Sequence, residues 1–365
     1  MDNFKLYSTW HQFLTQWIPD DCASRLTNLT LLIVGLYHAR HVHANRIVSK
    51  WPVRAKVPSL TRRLSRFLDN PAVAARDWYE PVACYLLSRL AGSDVRLIID
   101  ASRVGFGHQL LIVALAYRRR AVPLVWSWKP GTRGHSSGEK QLELLRWVHD
   151  RLPAGSRVLL AGDSEFGGEK LLKQLRRWRW GYVLRQPGDH RVRRVGSRRW
   201  QPFADLVGRP GQQVWWAQAV LTQQNQIPTA LLAYWKVGED KPWLLATNLL
   251  DARRTRQAYA RRMWIEEMFG DLKGHGFDLE ATHLRAEPRL SRLTLAVCLL
   301  YVWLLLGGHR VIHSGLRHLV DRHNRRDLSH FRIGWDFIER CLAWLLPIAV
   351  SLPISLPPAR LVSGG

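Results

Sequence analysis

VRLIID (95–100), LLIVALAY (110–117), VPLVWSW (122–128), VLLAGD (158–163) and GYVLR (181–185) are five short apolar runs that follow one another through the first half of the chain. Each is strand length and is bounded by polar or glycine-containing residues, which is the pattern of a buried β-strand rather than a helix. RRRA (118–121) between the second and third runs predicts a hairpin. A Gly/Ser-rich loop, Gly131–Gly138, follows the third run. Next comes a helical pattern over Lys140–Leu152, in which Leu142, Leu144, Leu145, Trp147 and Val148 are the apolar positions. A second helix is predicted near Gly168–Trp178, between the fourth and fifth runs. The first and fourth runs both end in a carboxylate, Asp100 and Asp163.

The order β-β-β-α-β-α-β predicts an α/β fold of ribonuclease H-like type, a mixed sheet with three antiparallel strands followed by parallel strands joined through helices. In that topology the first and fourth strands are neighbours. Asp100 and Asp163 would therefore lie side by side at strand ends, although 63 residues separate them.

The flanks divide by pattern. Residues 1–92 read as a helical N-terminal region. Leu26–Tyr37 has helical spacing, and so do Leu60, Leu64, Phe67 and Leu68, between the start signal Pro58-Ser59 and the stop signal Asn70-Pro71. Arg62, Arg63 and Arg66 on that second helix are either a DNA-contacting row or a solvated basic face. Residues 93–185 form the first part of the core. Residues 186–250 lack helical periodicity and read as a β insertion, with strands VWWAQAVLT (214–222), TALLAYWKV (229–237) and WLLATNLL (243–250). Residues 251–310 hold a long helix from Ala252 to about Lys273 and a following helix over 288–307. Residues 311–365 read as a helical C-terminal region, with helices over 312–320 and 333–346 and a Ser/Pro-rich frayed tail over 351–365.

Charge narrows the function. Fifty-four basic residues against 29 acidic ones give a net charge of +25, and 44 of the basic residues are arginine, the planar fork that suits phosphate. A sequence pI near 10.9 points to a polyanionic partner, most simply nucleic acid, and argues against an acidic-ligand binder. Residues 171–200 concentrate this charge. Lys173, Arg176, Arg177, Arg179, Arg185, Arg191, Arg193, Arg194, Arg198 and Arg199 face one acid, Asp189, with Trp178, Trp180, Tyr182 and Trp200 interleaved. Backbone-tracking charge with aromatics is the composition of a nucleic-acid surface.

Other classes are disfavoured. The four cysteines, Cys22, Cys84, Cys298 and Cys341, form no CxxC pair, which argues against a zinc ribbon or a disulfide scaffold and for reduced thiols in the cytoplasm. The N-terminus has no basic start followed by an apolar run. The longest apolar run, Leu293–Gly308, has 16 residues, short of the roughly 18–20 that span a bilayer, and reads as a core helix without membrane contact. No Walker A motif is present, so ATP use is not expected. Ser164 lies in no G-x-S-x-G elbow. His38, His41 and His43 lack a cysteine or carboxylate at ligand spacing and read as a polar helix face.

The helix after the insertion carries the chemistry. In YARRMWIEEMFGDLK (259–273), Tyr259, Arg262, Glu266 and Lys273 fall within an arc of roughly 60° on a continuous helix at 100° per residue. Trp264, Ile265, Met268, Phe269 and Leu272 supply most of the packing surface. Asp100, Asp163 and Glu266 then make three carboxylates that the topology can converge. Phosphoryl transfer on DNA uses such a set, since Mg²⁺ prefers oxygen ligands and a pair of ions activates the attacking oxygen and stabilises the leaving one.

The spacing Y-x2-R-x3-E-x6-K, met by Tyr259, Arg262, Glu266 and Lys273, resembles the signature of IS4-family DDE transposases. IIDAS around Asp100 resembles that family's D-x-T/S element, and GDSEFG around Asp163 and Phe166 its G-D-x-x-F element. WLLAT (243–247) and KGHGFDLE (273–280) also look like the family, and the resemblance covers roughly residues 95–305. It implies that Asp100, Asp163 and Glu266 are the catalytic triad and ligate two Mg²⁺ ions, for which Mn²⁺ substitutes. Arg262 and Lys273 would hold DNA phosphates, Tyr259 would hydrogen-bond to one, and Trp243 would stack on a flipped base. Arg176, Arg177, Arg179, Arg193 and Arg194 are expected DNA contacts on charge grounds. The implied activity is cut-and-paste transposition in a bacterial or archaeal cytoplasm, associated with the nucleoid. The implied partners are double-stranded DNA (terminal inverted repeats, with residues 1–92 as the candidate DNA-end-binding region, and target) and a second copy of the chain on paired ends. Two rival readings use the same residues differently: a related nuclease that cuts without integrating, and a catalytically silent DNA-binding derivative.

Overall fold

The computed structural model describes residues 3–18, 21–105, 107–131, 136–352 and 354. Residues 132–135 of the expected loop at 131–138 and the tail from 355 onward lie outside them.

The N-terminal region is helical, as the apolar spacing predicts: α1 (Asn3–Trp17), α2 (Ala23–Ala39), α3 (Ala44–Val48), α4 (Val57–Asp69) and α5 (Ala75–Ser88). Pro58 sits in the first turn of α4, where its missing N–H leaves no helical bond unmade. Leu60, Leu64, Phe67 and Leu68 face inward, which leaves Arg62 and Arg66 exposed. Arg63 instead donates from Nε to Asn28 Oδ1 at 2.7 Å.

The next segment supplies β1 (Asp94–Val104), β2 (His108–Tyr117), β3 (Arg120–Pro130), α6 (Gly138–His149), β4 (Arg157–Gly162), α7 (Glu169–Arg177) and β5 (Gly181–Arg185). β1, β2 and β3 are antiparallel, and β4 and β5 run parallel to β1 in the order β3-β2-β1-β4-β5. These are the strand directions the run order predicts. One detail differs. β1 does not end at Asp100 but continues to Val104, paired over its last residues with β2 alone.

The 186–250 segment is not a separate piece. It forms β6 (Arg191–Arg194), β7 (Gln201–Pro202), β8 (Gln213–Leu221), β9 (Ile227–Tyr234) and β10 (Trp243–Thr247), and these prolong the core into one ten-stranded sheet, β3-β2-β1-β4-β5-β10-β9-β8-β6-β7. β10 lies antiparallel on β5, with Leu245 opposite Arg185 and Thr247 opposite Val183. It covers N–H and C=O groups that would otherwise form an open edge. Side chains fasten the junction: Thr247 Oγ1 donates to the Tyr182 carbonyl at 2.7 Å, and Asn248 Nδ2 to the Trp180 carbonyl at 2.9 Å.

The long helix predicted from Ala252 to Lys273 is two helices, α8 (Ala252–Ala260) and α9 (Met263–Leu272). At the joint, Arg261 N bonds the Ala258 carbonyl at 3.3 Å and Arg262 N the Tyr259 carbonyl at 2.8 Å. These are three-residue steps that tighten the chain and shift the phase of everything beyond.

α10 (Glu287–His313) is the central helix, buried without interruption from Arg292 to His309. With 27 residues it is long and apolar enough to cross a bilayer, longer than the 16-residue run suggests, but 89% of its most apolar window is buried inside the fold. It packs on the β3 edge, where Trp126 Nε1 donates to Ser291 Oγ and Trp128 Nε1 to Thr294 Oγ1, both at 3.1 Å. α11 (His330–Ala343) crosses it where Gly308 meets Gly334. The helix predicted over 312–320 is only a 3₁₀ turn, Leu316–Leu319. Leu352 and Ile354, expected to fray, are buried.

Candidate active site

A cleft of about 440 Å³ opens where β1, β4 and α9 converge, and Asp100, Asp163, Arg262, Glu266 and Lys273 all line it. The parallel register sets the first two. Ile99 stands opposite Gly162, so Asp100, within β1, and Asp163, the residue after β4, lie at one level on adjacent strands. Gly162 permits this closeness, since a Cβ there would come within 3.0 Å of Ile99 and 3.1 Å of Leu184 and of Phe166. Asp100 Oδ1 accepts from Ala101 N at 2.9 Å. Asp163 caps the 3₁₀ turn Ser164–Phe166, accepting from Ser164 N at 2.6 Å, and the buried Phe166 anchors that turn.

A second network, not anticipated from the sequence, lies behind Asp163. Glu165 Oε1 accepts from Ser136 N at 2.6 Å and from Ser136 Oγ, while Gln141 Nε2 donates to the Glu165 carbonyl at 3.3 Å. It ties the start of α6 to the turn that carries Asp163. The only sequence signal was a carboxylate two residues after Asp163.

α9 brings the third carboxylate, together with a cation. Arg262 Nη1 is 2.6 Å from Asp100 Oδ2, and Nη2 is 2.5 Å from Glu266 Oε1. The Arg262 side chain is 8% exposed, that of Asp100 13% and that of Glu266 46%, so the guanidinium is the most enclosed of the three. Burial pushes the Asp100 carboxyl up to about 7 against the pull of Arg262 and of its own backbone hydrogen bond, with Asp163 and Glu266 adding to the rise. For Arg262, burial opposes the charge, but Asp100 and its neighbours outweigh it and hold the guanidinium above its ordinary value.

The donor set suits a hard divalent cation, being three carboxylates on one polar cleft. Among the described residues, however, no three His, Cys, Asp or Glu side chains stand close enough to hold one ion as they are placed. Arg262 occupies the interval and supplies the positive charge that clustered carboxylates need. The residue types fit Mg²⁺ by chemistry, and Arg262 stands between two of the three carboxylates.

The other expected site residues divide. Lys273 lines the cleft just past the end of α9, with Nζ 2.9 Å from Glu280 Oε1. Tyr259 does not line it. The break between α8 and α9 turns Tyr259 into the sheet, where it is 2% exposed and packs with Val183, Leu232 and Leu245. Burial raises its hydroxyl pKa. The shared 60° arc therefore fails for Tyr259, because it presumed an unbroken helix. The Arg262 guanidinium lies 5.8 Å from the centroid of the Tyr259 ring. Trp243 is half-buried, its ring meeting Tyr259 edge-on at 4.9 Å and Tyr234 at 5.9 Å.

In the basic segment Arg176, Arg177, Arg179 and Arg194 are exposed and Arg193 is half-buried. The interleaved aromatics are not free: Trp180 and Tyr182 belong to the core, Trp178 stacks on His149 at 4.6 Å, and Arg193 lies 5.1 Å over Trp200. These rings build structure, and the exposed feature of the segment is its charge. Of the N-terminal histidines, His41 pairs with Asp278 at 3.1 Å.

The family model described as "Transposase DDE domain" matches residues 94–303, from the first residue of β1 into α10. That span holds Asp100, Asp163, Arg262, Glu266 and Lys273. No curated protein matches the chain. A solved structure to which the chain is similar is entitled "Cryo-EM structure of piggyBac transposase synaptic complex with hairpin DNA". The similarity has a TM-score of 0.45 and 10% identity, covering 95% of this chain and 83% of that one.

Proposed function

The chain belongs to the transposase DDE domain family, and from that premise we propose that it is a DDE transposase of IS4 type with a ribonuclease H-like core, moving an insertion sequence by cut-and-paste transposition. The observation that carries this reading is the meeting of Asp100, Asp163 and Glu266, from two adjacent parallel strands and a helix far along the chain, in one cleft beside Arg262 and Lys273.

Asp100, Asp163 and Glu266 would hold Mg²⁺, or Mn²⁺ in its place, as a pair of ions that activates the attacking oxygen and stabilises the leaving one in phosphoryl transfer. Lys273 and Arg262 would orient the scissile region through its phosphates, Arg262 with a fork matched to two phosphate oxygens. Tyr259, buried beneath Arg262, would reach a phosphate only through a shift at the α8–α9 joint, and in place it supports the guanidinium. The exposed arginines at 176, 177, 179 and 194, with Arg193, would track the DNA backbone. Trp243 is the candidate platform for an unstacked base.

The proposed sequence begins with cleavage of one strand at the transposon end by water. The freed 3′-OH then attacks the opposite strand to give a hairpin, the hairpin opens, and the 3′-OH attacks target DNA. One site can serve all steps because each is an in-line displacement at phosphorus. Two ends must be joined, so the working unit would be a dimer on paired ends, acting without ATP or membrane on the DNA of a bacterial or archaeal cytoplasm.

The test uses purified protein, Mg²⁺ and a duplex ending in the inverted repeat that brackets the gene. The expected products are a nick, a hairpin and strand-transfer joints into a plasmid. Cleavage without joints would make the chain a nuclease, and binding without cleavage would make it a silent derivative.

A further inference from the structure

The two cations that line the cleft, Arg262 and Lys273, are both engaged by carboxylates of this chain. Arg262 bridges Asp100 and Glu266, and Lys273 is held by Glu280. Glu280 belongs to the short turn Leu279–Ala281, preceded by Asp278 in a left-handed conformation (φ 50°), whose carboxylate lies 3.1 Å from His41 Nε2. The Nε of Arg262 is buried without a hydrogen-bond partner. A buried donor without a partner, on a guanidinium that already bridges two carboxylates, leaves Arg262 able to bond a further acceptor.

We propose that Arg262 is a placeholder cation: in the DNA-free protein it neutralises Asp100 and Glu266 in place of a divalent ion, and an arriving DNA phosphate draws it away. This rests on the reading of the cleft as a metal-dependent site for DNA. A divalent ion entering between Asp100, Asp163 and Glu266 meets the guanidinium charge, and like charges at contact distance oppose it. A phosphodiester gives Arg262 a new pair of acceptors and uses its unpartnered Nε. The two exchanges favour each other. Moving Arg262 to a phosphate bares Asp100 and Glu266 for the ion, and an ion on those carboxylates releases Arg262 to the phosphate. DNA and divalent ion therefore bind with positive coupling, and the factor by which each raises the affinity of the other must be equal. The consequence is a site that assembles its metal set more tightly when DNA is present.

The test titrates Mn²⁺ into the full chain, with calorimetry and the loss of the free-ion EPR signal as readouts, so no catalysis is needed. Wild type is expected to bind weakly alone and roughly 5- to 150-fold more tightly with a 40-base-pair duplex of arbitrary sequence, after correction for the ion taken up by the duplex itself. Arg262→Gln is expected to bind Mn²⁺ tightly without DNA, and Arg262→Lys, which keeps the charge, to bind weakly like wild type. Adding Asp163→Asn to Arg262→Gln should remove the gain, which locates the ion in this cleft. Equal affinity of wild type and Arg262→Gln without DNA overturns the proposal. If Arg262→Gln does not fold, the two wild-type titrations decide, and equal affinity with and without duplex overturns it. No binding by any variant, with or without duplex, overturns the metal reading of the cleft itself, a result distinct from tight binding that ignores Arg262.

Discussion

Ile99 and Gly162 pair across the parallel β1–β4 ladder, and this one register places Asp100 and Asp163 side by side. A shift of one residue would turn one of the two carboxylates to the opposite face of the sheet. Strand pairing thus positions the first two carboxylates, with Asp163 one residue past the end of β4.

Asp100→Asn, Asp163→Asn and Glu266→Gln are each expected to lower cleavage by roughly 10³-fold or more, because groups that ligate together act as a unit. Duplex binding and the cooperative melt should survive. Asp100→Asn needs the closest folding control, since it takes a charged partner at 2.6 Å from the buried Arg262. Near-normal Mg²⁺-dependent cleavage by any of the three would remove that residue from the triad.

Duplex affinity is expected to fall steeply with salt, with a slope in log K against log[salt] of about −0.9 for each phosphate contact. Arg177 and Arg179 are exposed at the end of α7, and no carboxylate is paired with them among the described residues. Replacing both with alanine should make the slope shallower by about 0.9 per lost contact without changing sequence preference. A slope that does not move would place the DNA elsewhere on the surface.

The central strands and the pairing of Asp100 with Asp163 were legible in the sequence, because each apolar run is short, sharply bounded and followed by its own helix or turn. The joint between α8 and α9 was not. A helical wheel over Tyr259–Lys273 presumes an unbroken α-helix, and what breaks it is the burial of Tyr259 against Val183, Leu232 and Leu245, residues from three separate strands. The same limit hid the β5–β10 pairing and the Lys273–Glu280 contact. The aromatics of the basic segment misled for a related reason. Alternation with arginine says which residues are near one another, whereas only the sheet shows that Trp180 and Tyr182 point into the core.

The α10–α11 crossing predicts a stability effect far from the chemistry. A Cβ on Gly308 would lie 1.7 Å from the His330 carbonyl oxygen, and one on Gly334 1.8 Å from that of Leu304. The two backbones are in contact, so neither neighbour is a flexible side chain that can swing aside. Gly308→Ala and Gly334→Ala should each destabilise by about 1–3 kcal/mol or more, as overpacked interiors do. Thermal melts should show the loss at either position, with Mn²⁺ binding per folded molecule unchanged. A melt like that of wild type for Gly308→Ala would mean that the helices cross less closely.

Trp243 offers the sharpest test of the proposed hairpin step. Nicking needs water, the carboxylates and a held phosphate. Closing a hairpin must also bend one strand across the duplex, and an unstacked base eases that bend if an aromatic face receives it. Such a face is worth about 1–3 kcal/mol per base, or roughly 5- to 150-fold in rate if fully expressed in the transition state. Trp243 is half-buried, with edge-on contacts to Tyr234 and Tyr259, so it has both a packed side and an accessible one. Its removal also loosens Tyr259, whose ring lies near the Arg262 guanidinium. The two roles separate in the products. Trp243→Ala should depress hairpin more than nick, measured on uncut and pre-nicked ends in a denaturing gel, whereas Tyr234→Ala, which removes the other edge-on contact of the indole, should depress both alike. Equal loss of nick and hairpin in Trp243→Ala, together with a lowered melting temperature, would reduce Trp243 to a support for Tyr259. The stacking role would then pass to Trp215, which packs on the same side of the sheet.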